Sequence, residues 1–272
     1  MRKKIFWILY LGLVVLFIRC NINKGRIEDV KFDLGEGKKA VIKCKIINGD
    51  TIFNGEAIYY YANGLKENVV MLKEDKKNGT SVLFDSLGNI YSKSMYVNNK
   101  LNGSVLFFKA GTNIVETEQF YTNDVLLCIK LYDDSSRLKQ YAGMSGNNLF
   151  YTIHYNSDGD IISENGDIFG DYFDSSSSLD RIKVNKEFEI KIPIVNPPKR
   201  KVSISITTYD VISKLRDSST SFKLPVFNYY ALYKTKFKTP GNMWLEITAE
   251  LKDETGKIIK RGKAKSKITI IE

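Results

Sequence analysis

Histidine and cysteine are scarce in this sequence of 272 residues, which contains one histidine and three cysteines. His154 therefore has no second histidine with which to form a metal site, and no CxxC pair is present for metal or redox chemistry. The sequence also lacks a phosphate-binding loop, a Gly-x-Ser-x-Gly elbow and a His-Glu-x-x-His motif. We predict no catalytic residue, no metal and no cofactor, and hence a protein that is not an enzyme. A hydrolase whose two carboxylates meet only after folding stays an alternative.

The cysteines after Cys20 are Cys44 and Cys128, which are far apart in the sequence. A single disulfide could join them in an oxidising compartment. Isolated cysteines more often behave as small buried hydrophobes, so we favour two separate buried thiols.

A basic and then apolar segment opens the chain. The basic residues of 1–4 precede an uncharged run, residues 5–18, as in a signal peptide. As a helix this run of 14 residues would reach roughly 21 Å, short of the ~30 Å hydrocarbon core of a bilayer. Because Cys20 follows directly, residues 1–19 resemble a bacterial lipoprotein signal peptide, which implies lipidation of Cys20 and anchoring in the cell envelope, on the periplasmic or surface side. Arg19 stands where a small residue is usual, so a short uncleaved anchor, ordinary secretion and a cytosolic protein stay alternatives.

One pattern recurs every 24 residues in the first half of the chain. Three classes of residue follow it. The Asn-Gly pairs are Asn54-Gly55, Asn78-Gly79 and Asn102-Gly103. The aromatic positions are Tyr60, Phe84, Phe108 and Tyr132, and the turn glycines are Gly64, Gly88, Gly111 and Gly159. We predict tandem β-hairpin repeats over residues 45–173 that form an antiparallel meander, with Asn-Gly at the hairpin turns and the aromatics as the repeat core.

The best-defined repeat, Asn54 to Gly64, resembles the MORN-repeat variant of bacteria, in which a glycine is followed by paired aromatics and a turn glycine. The resemblance covers roughly residues 45–165 and weakens after about residue 125. Members of that family are often classed as antitoxin components, and related MORN proteins act as scaffolds at membranes. The resemblance implies a repeat fold without catalytic residues.

The composition changes at residues 174–184, where Asp174 is followed by four serines, and we predict a linker there. From residue 185 to 272, segments of alternating polarity are separated by turn signals such as Thr239-Pro240-Gly241-Asn242. This pattern predicts a β-sandwich, and its last hairpin resembles that of bacterial immunoglobulin-like domains. The whole chain is therefore predicted to be all-β, with residues 20–44 leading into the repeats.

The positive charge is concentrated in the predicted sandwich. The formal net charge is +10, and residues 185–272 contain eighteen Lys or Arg against nine Asp or Glu. Two sets of basic residues alternate with other residues, so that strand geometry would place each set on one face. The sets are Lys234, Lys236 and Lys238, and Arg261, Lys263, Lys265 and Lys267. They predict either a solvated face that protects an edge strand or a binding face for an acidic partner.

These features favour a non-enzymatic interaction or scaffold protein, exported and anchored at a membrane of the bacterial envelope. Its partner would be a protein or an anionic envelope polymer, and we see no nucleic-acid recognition motif. An antitoxin or immunity-type protein that neutralises a toxin is one alternative. An accessory subunit of an envelope or secretion complex is another.

Overall fold

The alternating polarity of the sequence is reflected in the computed structural model, which describes residues 27–47, 49–171, 173–174, 179–211, 220–223 and 226–272. The regular secondary structure in these ranges consists of β-strands alone, which confirms the all-β fold class. Within the same ranges, no helix has the length and apolar character needed to cross a membrane. The predicted signal peptide, the lipidation site Cys20 and residues 175–178 of the predicted linker lie outside the described residues.

The first 13 strands belong to one antiparallel sheet. Strands adjacent in sequence pair with each other, as expected for a meander, except that the short β7 pairs only with β6. The strands are β1 (Ile27–Gly35), β2 (Lys38–Ile47), β3 (Asp50–Tyr60), β4 (Lys66–Lys73), β5 (Lys76–Phe84), β6 (Ile90–Val97), β7 (Lys100–Leu101), β8 (Gly103–Phe108), β9 (Val115–Thr122), β10 (Val125–Tyr132), β11 (Leu138–Ser145), β12 (Asn148–Tyr155) and β13 (Ile161–Gly166).

Two further sheets contain the remaining described strands. The four-stranded sheet has the order β14-β16-β20-β19, and the five-stranded sheet has the order β15-β22-β21-β17-β18. Their strands are β14 (Phe173–Asp174), β15 (Ile182–Lys183), β16 (Phe188–Pro193), β17 (Lys201–Asp210), β18 (Thr220–Lys223), β19 (Val226–Phe227), β20 (Tyr230–Thr235), β21 (Gly241–Lys252) and β22 (Ile258–Ile271). Both sheets contribute buried residues to a common core, which is consistent with a β-sandwich.

The Asn-Gly pairs do not form the hairpin turns, which corrects the prediction made from their spacing. Gly55 and Gly79 lie inside β3 and β5, at breaks in the pairing register, with φ of 119° and 113°. A Cβ at Gly79 would lie 3.1 Å from the Cβ of Met71 in the neighbouring strand. Glycine is required there because the backbone has positive φ and the neighbouring strand is close.

The turns that were predicted at Asn-Gly lie instead about 20 residues after each Asn-Gly pair. Glu74-Asp75 and Asn98-Asn99 have positive φ at both central residues, as in type I′ turns. The Asp75 carboxylate accepts a hydrogen bond from the Phe53 N–H at 2.8 Å, and the Asn99 side chain accepts one from the Lys77 N–H at 2.7 Å. Each turn therefore binds the strand of the preceding hairpin, and this contact repeats with the period of the sequence.

The sequence also predicts a second class of turn, which contains a glycine and lies at the other end of the hairpins. All four predicted turn glycines have positive φ: Gly64, Gly88, Gly111 and Gly159. Ser136 has φ of 60° at the equivalent position of the repeat that lacks a glycine. This second class of turn is confirmed.

The chain forms two compact units, Met1–Val115 and Glu116–Glu272. In the first unit, a small core contains Ala40, Ile42, Ala57 and Val70. This division differs from the predicted boundary at residues 174–184, because the last strands of the meander and the two C-terminal sheets of the second unit share one hydrophobic core.

That shared core joins residues far apart in the sequence. Leu127, Tyr141 and Ile153 of the meander strands belong to the same buried cluster as Ile192 and Leu245 of the two smaller sheets. The Tyr141 hydroxyl also accepts a hydrogen bond from the Asn196 N–H at 2.8 Å. The second unit therefore needs both parts of the sequence for its packing.

Candidate binding surface

Strand β22 presents a row of four basic side chains, Arg261, Lys263, Lys265 and Lys267, which we call the basic row. All four residues are exposed, and the alternation of strand residues places them on the face directed away from the core. The residues between them face the core side, where Ile268 and Ile270 are buried. The prediction that alternation places this set on one face is confirmed.

Carboxylates of the adjacent strand β21 neutralise part of the basic row. The Arg261 Nε lies 3.2 Å from a Glu250 carboxylate oxygen, and the Lys263 Nζ lies 3.1 Å from one of Glu246. Hydrogen bonds from Lys252 and Arg261 lower the pKa of the partly exposed Glu250 carboxyl, which therefore stays ionised. This half of the row is a network of opposite charges on the protein surface.

In the other half of the basic row, Lys265 lies over two aromatic rings. The Lys265 Nζ is 4.0 Å from the ring centroid of Trp244 and 5.0 Å from that of Tyr209. Lys267 is the direct cross-strand neighbour of Trp244. The surface therefore combines exposed ammonium groups, which attract acidic groups, with two half-buried aromatic side chains.

The second basic set lies on the other sheet of the sandwich. Lys234 is in β20, whereas Lys236 and Lys238 follow the end of that strand. The Lys234 Nζ lies 2.5 Å from a Glu189 carboxylate oxygen, and this hydrogen bond raises the pKa of Lys234. Because β20 and β22 belong to different sheets that enclose one core, the structure does not combine the two sets into a single surface.

The core side of β22 changes from large to small residues along the strand. Beyond the buried Ile268, the inward positions are Ser266, Ala264 and Gly262, each partly exposed. Their partners in β21, including Ile247 opposite Ala264, are fully buried. The core of the sandwich therefore ends at this part of β22, and a groove begins there.

This groove, which we call the β22 groove, has a volume of about 790 Å³. One wall is formed by the small residues of β22, and the other includes Leu149, Phe150 and Phe169. Leu149 is 58% exposed. A Cβ at Gly262 would lie 2.8 Å from the Phe169 ring, so the absence of a side chain at residue 262 lets that ring reach the strand. The alternation of small with basic residues in β22 is the sequence signal for this groove, and only its basic residues entered the prediction of a binding face.

A polar cluster that the sequence did not indicate lies elsewhere in the second unit. Glu164 accepts hydrogen bonds from the Tyr151 hydroxyl at 2.5 Å and from an Arg200 guanidinium nitrogen at 2.8 Å. Burial raises the pKa of the neighbouring Tyr155 to about 12, and no described residue forms a hydrogen bond with its buried hydroxyl. Through these two hydrogen bonds, Glu164 of β13 connects Tyr151 of β12 to Arg200, which precedes β17. Because both donors bind the carboxylate, it is not available as a base.

The remaining predicted residues lie in strands. His154 is exposed on β12, and among the described residues no group of three His, Cys, Asp or Glu side chains is placed to hold a metal ion. Of the predicted repeat core, Phe108 is buried. Tyr60, Phe84 and Tyr132 are half-buried.

Both Cys44 and Cys128 are buried. Burial raises the pKa of the Cys128 thiol to about 12, so this group is protonated and unreactive at neutral pH. Cys128 packs with Tyr141 in the shared core and behaves as a small hydrophobe.

No protein-family model matches the chain, and no curated protein matches its sequence. Among solved structures, the chain shows a similarity to the native conformation of E. coli alpha-2-macroglobulin, obtained by cryo-EM single-particle reconstruction. The TM-score is 0.25 and the sequence identity is 9%, over 85% of this chain. This chain spans 19% of the length of that protein chain. A similarity of this strength carries no argument about family, activity or partner.

Proposed function

We propose that this chain is a non-enzymatic interaction protein of the bacterial envelope, exported and anchored at a membrane through Cys20, which binds an acidic protein through the basic row of β22. The observation that carries the proposal is the placement of that row. Arg261, Lys263, Lys265 and Lys267 are all exposed on one face of one strand. They lie beside a groove of about 790 Å³ on the other side of the same strand.

The charges of the basic row support recognition as well as solubility. Lysines on an outer strand commonly prevent sheet-to-sheet aggregation, and scattered charges suffice for that role. Here Lys265 lies over Trp244 at 4.0 Å, which fixes the ammonium group on a half-buried aromatic surface. An acidic partner would contact a positioned cation and its aromatic neighbour together, and the attraction would weaken as salt increases.

The test is chemical cross-linking of the full-length protein in envelope preparations of its source bacterium. The test variant carries Arg261→Glu, Lys263→Glu, Lys265→Glu and Lys267→Glu. A matched control carries Lys234→Glu, Lys236→Glu and Lys238→Glu, which reverse exposed charges in β20 of the other sheet and directly after it. A cooperative thermal transition in each variant establishes that it is folded.

We expect a specific adduct with an acidic protein in the wild type and in the control, and its loss in the β22 variant. The yield should fall when the ionic strength rises from about 0.05 M to about 0.5 M, because added salt shortens the Debye length several-fold. An adduct that persists in the β22 variant would contradict the proposal. An adduct lost equally in both variants would show that net charge, rather than this row, is responsible.

A further inference from the structure

Part of strand β22 has an open edge. On one side, Arg261–Lys265 pairs with β21 along its whole length. On the other side, the strands of the described residues pair with β22 only at its end, where β15 meets Ile270 and Ile271. Among the described residues, no strand pairs with the peptide groups of Arg261–Lys265 that point away from β21, and an edge of this kind is the arrangement used in β-strand addition.

The β22 groove lies along this open edge. Ala264 and Gly262 form its floor on the β22 side, and the exposed Leu149 lies with Phe150 on the opposite wall. At one end, the Lys260 ammonium donates a hydrogen bond to the Gly166 carbonyl. The groove is therefore closed near β13 and can accept side chains along the five residues that follow Lys260.

The two faces of β22 would impose different demands on an added strand. Side chains directly opposite one another in neighbouring strands lie on the same face and interact. On the outer face, the neighbours of an added strand would be Arg261, Lys263 and Lys265, which favour acidic residues. Glu250 and Glu246 neutralise part of the charge of Arg261 and Lys263, so this preference is strongest beside Lys265. On the inner face they would be Gly262 and Ala264. The Phe169 ring already lies against Gly262, whereas the small side chain of Ala264 leaves the groove open to an apolar side chain.

We propose that Arg261–Lys265 binds an extended acidic peptide segment as an additional β-strand, with its acidic residues beside the basic row and the alternate, apolar residues in the β22 groove. This inference rests on the proposed function and specifies how its acidic partner is recognised. The main-chain hydrogen bonds provide affinity, and the two kinds of side chain provide specificity.

Charges at the rim of the groove set the orientation of the two faces of the peptide. Asp167 and Asp171 line the groove and are exposed. An acidic side chain on the groove face would be repelled by these carboxylates, whereas on the outer face it would meet the basic row. A shift of the peptide by one residue would reverse both preferences and is therefore disfavoured.

The probe is an acetylated and amidated nonapeptide of alternating Glu and Val, titrated calorimetrically into the full-length chain in detergent. Two derivatives carry N-methyl groups, one on every Val amide and the other on every Glu amide. In an added strand, amide directions alternate with the same period as side chains, so only one set of amides faces β22. We expect one derivative to lose about tenfold or more in affinity, because several hydrogen bonds are removed, and the other to bind like the parent peptide.

Two protein variants test the groove. Leu149→Ser removes an apolar side chain from its wall and should weaken binding about three-fold or more, as expected for lost apolar contact. The matched control is Leu87→Ser, which alters a residue that is 79% exposed in a turn of the first unit. This control should bind the peptide like the wild type. Hydrogen exchange of Arg261–Lys265 should slow when the parent peptide is bound.

The outcomes separate this inference from the proposed function. Equal binding of the two N-methylated derivatives would overturn strand addition. Absence of peptide binding, together with a cross-linked adduct that still depends on the basic row, would also overturn it and leave the proposed function supported. An adduct that does not depend on the basic row would overturn the proposed function itself, and with it this inference.

Discussion

The ammonium group of Lys265 lies 4.0 Å from the centre of the Trp244 ring and 5.0 Å from that of Tyr209. The geometry of β21 and β22 produces this contact, because Lys267 is the direct neighbour of Trp244 and Lys265 is one diagonal position away. The arrangement gives one member of the basic row a fixed position. It also places a fluorescent reporter beside the surface that we propose binds an acidic partner.

We predict that Lys265→Met destabilises the protein by about 0.5–1 kcal/mol, because the variant retains an extended apolar side chain and loses the cation over the ring. The measurement is urea unfolding followed by Trp244 fluorescence, in a background where the other tryptophan, Trp7, is replaced by Phe. Lys267→Met serves as a control for loss of one charge from the same row. Equal effects of the two variants would argue against a specific contribution of the Lys265 ring contact.

The glycines inside the repeat strands provide a second prediction. Gly79→Ala should destabilise the protein by about 1–3 kcal/mol, since alanine at this φ is strained and its Cβ would approach that of Met71. Asn78→Ala, at the preceding position, is the control and should cost much less. Urea unfolding measures both. If Gly79→Ala were neutral, the bulge in β5 would not need glycine.

The repeat period could be predicted from the sequence, but the location of the turns could not. Asn-Gly and Asn-Asn both tolerate positive φ, so local propensity alone does not distinguish the bulge at Asn78-Gly79 from the turn at Asn98-Asn99. The difference depends on Met71 in the neighbouring strand, which leaves no room for a Cβ at Gly79. Such a close approach becomes apparent only when the strands are paired.

The basic half of the candidate binding surface was also predictable, because alternation along β22 places Arg261, Lys263 and Lys265 on one face in any sheet. Its groove was not, since Leu149 and Phe169 come from a part of the sequence about one hundred residues earlier. The unit boundary is another non-local property. A serine-rich segment suggested a linker, yet Tyr141 and Ile192 belong to one core on either side of it.

This shared core leads to a prediction about fragments. A fragment of residues 116–272 keeps every residue of the large cluster and should unfold cooperatively in urea. A fragment of residues 179–272 loses Leu127, Tyr141 and Ile153 from that cluster and should show a broad transition or none. Circular dichroism at increasing urea concentration measures both. Cooperative unfolding of the shorter fragment would show instead that the two C-terminal sheets are sufficient as a domain.

Alkaline pH should reveal the burial of Tyr132. Desolvation is the main cause that raises the pKa of this phenol to about 12, from 10.0 for an unperturbed tyrosine, and its hydroxyl donates a hydrogen bond to Glu118 at 2.9 Å. In the window between these values the folded protein holds a proton that the unfolded chain has released. The contribution of Tyr132 to stability is therefore complete below pH 10 and is lost as the pH rises towards 12.

The corresponding measurement is the free energy of unfolding in urea for the wild type and for Tyr132→Phe, at several pH values between about 8 and 11.5. The variant should be less stable than the wild type at the lower end, because the hydrogen bond to Glu118 is absent. Above about pH 10 the wild type should lose stability more steeply, so that the difference between the two proteins narrows. A constant difference across the range would mean that the Tyr132 phenol ionises equally easily in the folded and unfolded chain, and that its burial in β10 does not favour the neutral form.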